Sequence, residues 1–326
     1  MEPAPPPTRS ERFSPLALIV HPDEHRPRAL VRLAITLTLL VVFAIAAGAV
    51  WPILRVDLGS EAGRLMIGGA FVAFAPGTLL LIGLCNRFLD RRSIVDLGFS
   101  FDRRWVYDLA FGLVLGFVLI GGVMGAERAM GWATYREPVD LGATLAWLPV
   151  AIGAFLSVGF YEELVFRGYL VKNTAEGLAS PRWSDRASVI ASCVITSLVF
   201  GLAHAFNQHA TWTSTIDIAV AGLMLAGAYA LTGQLGLGIG LHVSWNLAQA
   251  LFGMPVSGGS MFAYAAVMRR DVVGPAWITG GDFGPEAGLT GLAAMLAGLV
   301  LIAGWARLTR GVLRTDATLA VYRAFP

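Results

Sequence analysis

Apolar residues in this chain run nearly unbroken for about twenty positions at a time and are separated by short polar segments. A membrane-spanning helix needs about 20 consecutive, mostly apolar residues. Eight stretches meet or approach that length, near 31–54, 65–85, 105–126, 143–171, 187–205, 216–232, 236–252 and 288–308. The seventh is short and the fifth ends in polar residues, and both departures adjoin a histidine. No internal repeat is evident. The pattern predicts an all-α, multi-pass transmembrane bundle of about eight helices. The first three helices occupy 31–142, and the core 143–252. A Gly-rich extramembrane loop follows at 253–287, then the last helix and a tail at 288–326. Residues 1–30, "MEPAPPPTRSERFSPLALIVHPDEHRPRAL", are Pro-rich and mixed in charge, without the basic-apolar-small order of a signal peptide. They are expected to form a disordered tail.

Composition agrees. Hydrophobic residues make up 56% of the 326 positions and charged residues 14%, against about 25% charged in soluble domains. The net charge of +2 leaves no electrostatic footprint for nucleic acid. The 38 glycines suit closely packed membrane helices. Cys85 and Cys193 lie in apolar stretches and read as small hydrophobes rather than a disulfide. With the N-terminus inside, 17 of the 24 basic residues fall on the cytoplasmic side and 6 on the other, with Arg167 left inside a span. By the positive-inside rule both termini are cytoplasmic.

Glu127, Arg128 and Asp217 fall near span ends, where long side chains can snorkel. Three other clusters lie deeper. In "FYEELVFRGYL", Glu163 and Arg167 are four apart with the acid first, the favourable order for an ion pair on a helix. Glu162 points about 100° away at 3.6 residues per turn and has no partner on its own helix. "FGLAHAFN" places His204 at the end of span five, and "LHVSWNLAQ" places His242 and Asn246 on one face of span seven. Each cluster alone also fits a structural role: an ion pair, a hydrogen-bonded core histidine, an interhelical polar pair. Together, an acid, two imidazoles and an amide on nearby spans can share one polar cavity. A carboxylate can deprotonate water, an imidazole can position it, and imidazole plus amide can donate to an oxyanion. Helix rise measured from Lys172 and Gly236 is compatible with a cavity opening to the cytoplasm, provided span five starts near Trp183 to Arg186. Ser244 and Gln249 receive no role, and "GGDFGPE" reads as a turn-rich connector.

"EELVFR", "FGLAH" and "HVSWN" resemble the EExxxR, FxxxH and HxxxN motifs of the CaaX-protease and bacteriocin-processing (CPBP, or Abi) family. The resemblance covers about 143–252, roughly a third of the chain. It implies an intramembrane endopeptidase with a four-helix core around a polar cavity. By position, Glu162 would be the general base, assisted by His204. His242 and Asn246 would form the oxyanion hole, and Glu163 and Arg167 would brace the site. No cofactor is required on this account, although His204, His242 and Glu162 are a donor set that could hold zinc. The expected partners are a peptide or membrane-protein substrate and the lipid bilayer, with no nucleic acid and no indication of oligomeric state. Composition and family imply a bacterial cytoplasmic membrane. A catalytically silent immunity or scaffold protein of the same fold is the competing reading. A proton-coupled transporter would call for repeats and broken helices. HExxH, GxGD and GxSG motifs of other membrane proteases are absent.

Overall fold

The computed structural model describes residues 19–21, 24–49, 60–137 and 140–324. Eight long helices are present among them: α1 (Ala29–Ala49), α2 (Glu61–Cys85), α3 (Arg103–Ala129), α4 (Leu141–Leu178), α5 (Asp185–Ala203), α6 (Trp212–Thr232), α7 (Gly236–Leu251) and α8 (Leu289–Arg310). All but α7 are long and apolar enough to cross a membrane, so the chain is a multi-pass membrane protein. Side chains set several of the starts. Asp102, Asp140 and Ser184 each accept a hydrogen bond from a backbone N–H of the first turn, and Thr211 and Ser214 form a reciprocal capping box. Such caps satisfy amides that a helix N-terminus otherwise leaves unpaired.

α7 has 16 residues, roughly 24 Å at the helical rise, and almost all of them are buried. It is the central helix, sheathed by the longer ones, so it need not match the bilayer. Its closest neighbour is α3. A Cβ on Gly116 would run into the Ser244 hydroxyl, and one on Gly240 into the Leu109 carbonyl. Ser244 Oγ in turn donates to the Gly112 carbonyl at 3.1 Å, which gives that serine a structural role. Gly240→Val should therefore force the two backbones apart. Overpacking of this kind typically costs about 1–3 kcal/mol, and a melting curve in detergent that does not shift would refute the close contact.

Two buried charge clamps mark the ends of α3. Asp108 accepts from Trp305 Nε1 at 2.7 Å and Arg310 Nη1 at 3.0 Å. Glu127 accepts from Arg270 Nε at 2.9 Å and Nη2 at 2.7 Å, and from Tyr135 Oη at 2.7 Å. A separation of 19 residues along the helix spans roughly 28 Å, close to the thickness of a bilayer's hydrocarbon core, about 30 Å. Glu127 is thus not a snorkelling side chain. It is fully buried and holds a small two-stranded antiparallel sheet, β1 (Ala133–Arg136) against β2 (Arg269–Val272). Burial and the adjoining Glu127 carboxylate push the Tyr135 phenol up from its ordinary value. Asp217 is likewise buried rather than at the surface.

Arg64, Arg128, Arg136, Arg269 and Arg270 lie at the Glu127 end; apart from Arg167, the other described basic residues lie at the Asp108 end. There a dense ionic layer closes the bundle. Arg32 pairs with Asp90 at 2.9 Å, Arg92 with Glu176 at 2.5 Å, and Lys172 with Asp96 at 3.1 Å. Of the expected N-terminal tail, residues 1–18, 22 and 23 lie outside the described residues, as do Arg9, Arg12 and Arg55. Arg26, which that tail would include, is buried, with Nη2 3.0 Å from Glu176.

Candidate active site

α4 changes character where the charged residues sit. It is α-helical over Leu141–Glu162, π-helical over Glu163–Val171 and α-helical again over Lys172–Leu178. A π-helix widens each turn, and such segments recur at functional sites. Glu162 and Glu163 face apart as expected, one toward the cavity and one behind it, yet they reach opposite nitrogens of the same ring. Both carboxylates converge on one imidazole: Glu163 Oε1 lies 3.0 Å from His242 Nδ1, and Glu162 Oε2 lies 3.8 Å from His242 Nε2.

Glu163 and Arg167 form the expected ion pair, Oε1 to Nη1 2.8 Å, with both side chains buried. The pair is tied into three other helices. Arg167 Nη2 donates to the Gly222 carbonyl of α6 at 3.2 Å, and its guanidinium lies 4.3 Å from the centre of the Phe200 ring of α5. Gly238 of α7 leaves room for Glu163; a Cβ there would come within 2.8 Å of Oε2. Paired with Arg167, the Glu163 carboxylate acts as acceptor, so His242 Nδ1 carries the proton in their hydrogen bond. His204 is oriented similarly. Its Nδ1 donates to the Phe200 carbonyl at 2.8 Å, which leaves Nε2 as its free nitrogen. The Phe200 ring packs against both histidines, 4.6 Å from His204 and 6.2 Å from His242 between ring centres.

Four of the six singled-out residues, Glu162, His204, His242 and Asn246, line one cavity of about 610 Å³. Glu163 and Arg167 stand behind it. Aromatic side chains, including Phe71, Phe155, Phe166 and Phe262, form much of its wall. Glu162 Oε2 is buried without a hydrogen-bond partner among the described residues. Glu163 Oε2 is buried and unpaired in the same way, and a buried carboxylate oxygen left unpaired is costly; of the two side chains, Glu162 is the one that borders a space large enough for water and a peptide. For a metal the fit is poor. Among the described residues no three His, Cys, Asp or Glu side chains are grouped to hold one.

The cavity does not open as helix depth alone suggests. Its rim is formed by the turn at 204–208, which follows α5, and by the segment 256–262, which follows α7. Both lie toward the Glu127 end of the bundle. Toward the Asp108 end, Leu97, Leu164, Tyr169, Leu235 and Ile239 pack into a fully buried or nearly buried core beneath the site. The ionic layer lies beyond them. Distances along helices measured how deep each residue sits but not which side the packing closes. α5 does begin at Asp185, as the placement of His204 required.

One residue with a place in this site carries no sequence signal. Glu286, in the Gly-rich connector, is buried inside the bundle. It accepts from Trp245 Nε1 at 3.0 Å, and from the Ser257 amide at 2.8 Å and hydroxyl at 2.9 Å. Asn207 Nδ2 donates to the Ser257 carbonyl at 2.9 Å. Ser257 is held at φ 47°, a region non-glycine residues seldom occupy, so these bonds fix the cavity rim in a strained form. Glu286→Ala would orphan buried donors at about 1–3 kcal/mol each. It should lower both the melting temperature and the activity, and a variant with wild-type values of both would remove Glu286 from the site.

Residues 144–248, which span α4 to α7, match the family model described as type II CAAX prenyl endopeptidase, Rce1-like. No curated protein and no solved structure matches the chain. The family match covers about a third of the sequence and contains all six residues discussed. It bears out the family resemblance carried by the three motifs and supports a membrane-embedded endopeptidase in general terms, working on peptide substrates in a lipid bilayer.

Proposed function

We propose that this chain, with an Rce1-like endopeptidase segment at its centre, hydrolyses a peptide bond inside the cavity using a water activated by Glu162. The observation that carries this reading is that Glu162, His204, His242 and Asn246 line one cavity. Glu162 takes a proton from a water that His204 Nε2 helps to hold. The oxygen attacks the substrate carbonyl carbon, and negative charge develops on the carbonyl oxygen. Asn246 Nδ2 donates to that oxyanion, and so does Nε2–H of His242 when the ring is protonated on both nitrogens. Glu163 holds the opposite nitrogen of that ring and Arg167 holds Glu163. The proton on Glu162 then passes to the leaving amine as the C–N bond breaks. Preorganised donors of this kind are commonly worth about 10²–10³ in rate each. No step needs a cofactor.

His204→Ala tests the reading in liposomes against a panel of peptides. Positioning and proton transfer at one such group contribute about 10²–10⁴-fold, and a loss of that order is expected. A zinc chelator added to the wild-type protein is expected to leave the rate unchanged. If His204→Ala and wild type are equally active in the biological setting, the silent immunity or scaffold role takes precedence.

A further inference from the structure

The site's access route bears on what it can cut. From the position of the rim we infer that the cavity takes its substrate from the membrane face opposite the arginine-rich end. By the positive-inside rule that face is extracytoplasmic. The substrate class is then a polypeptide segment exposed on the outer side of the membrane or lying in its outer half, with apolar side chains beside the scissile bond. The inference rests on the peptidase reading for the word substrate, but the access route stands apart from it.

Three independent features agree. Basic residues concentrate at the Asp108 end, where Arg32, Arg92 and Lys172 sit in the closing ionic layer. The cavities at that end are lined by residues such as Ser93, Asp96, Lys172 and Gln234 and by none of the six site residues. The rim lies at the other end, and beside it Phe206 is 96% exposed and Trp212 79% exposed. Exposed aromatic side chains next to the opening suit the lipid interface, so a segment leaving the outer leaflet meets the rim directly. Inside, the Phe71, Phe155 and Phe262 wall offers apolar contact, and among the described residues no lysine or arginine lines the cavity.

Single cysteines test the route without any need for activity. In a Cys85→Ala, Cys193→Ala background, Gln208→Cys marks the rim and Ser180→Cys marks the opposite end; both positions are exposed. Intact cells are treated with a membrane-impermeant maleimide, before and after permeabilisation. The expected result is labelling of Gln208→Cys in intact cells and of Ser180→Cys only after permeabilisation. The reverse pattern, or labelling of both in intact cells, overturns the inference. A protein that labels as expected yet cleaves no peptide keeps the outer access route and loses the peptidase reading.

Discussion

Glu162→Gln is expected to leave a folded, membrane-inserted protein that no longer hydrolyses peptide. The amide matches the carboxylate in size and still fits between Tyr161, whose hydroxyl lies 3.5 Å from Glu162 Oε1, and His242. What it loses is the ability to accept a proton from water. General base catalysis typically contributes about 10²–10⁴-fold, so turnover should fall by at least the lower figure while the melting temperature stays near wild type. Folding should even be eased slightly, because the change removes a buried charge whose Oε2 lacks a partner among the described residues. The measurement is cleavage of a peptide panel in liposomes alongside thermal melting of the same preparation. Retention of wild-type turnover would show that Glu162 is not the base.

Arg167→Ala should behave in the opposite way, damaging the fold along with the chemistry. The guanidinium is buried and meets Glu163, the Gly222 carbonyl and the Phe200 ring, which together join α4, α6 and α5. Its removal strands a buried carboxylate beside His242. Breaking one side of a buried ion pair typically costs about 3–5 kcal/mol, because the surviving charge keeps its desolvation penalty. That is a large fraction of the stability of an ordinary domain, about 5–15 kcal/mol. Arg167→Lys should recover only part of it, since an ammonium cannot reproduce the planar fork that reaches Glu163 and Gly222 together. Thermal inactivation in detergent reads the effect. A melting temperature unchanged in Arg167→Ala would remove the pair from the framework of the site. The contrast between the two variants separates chemistry from bracing: one carboxylate lines the cavity and its neighbour does not.

Much of this arrangement is legible in the residues. Runs of apolar positions locate the eight helices, because spanning a bilayer demands length and hydrophobicity that no loop supplies. The Glu163–Arg167 spacing anticipates their ion pair, because i,i+4 neighbours meet on a helix whatever surrounds them. Other features depend on contacts between segments far apart in sequence. Glu127 and Asp217 look like span-end residues until the two-stranded sheet and the neighbouring helices bury them. Glu286 lies 41 positions from Trp245, in a loop whose composition suggests only turns.

The sequence by itself determined that this is an all-α membrane protein, where its long helices lie, and which six polar residues inside them could serve chemistry. Those properties follow from hydrophobicity and from helical spacing, and both are local. Only the tertiary structure decided that Glu162 and Glu163 both meet His242, since that required α7 to pass beside α4 with a glycine at the point of contact. It alone decided that the cavity opens away from the arginine-rich end. Which side of a bundle is filled depends on how Leu164, Leu235 and Ile239 from different helices pack together, and no single stretch of sequence carries that.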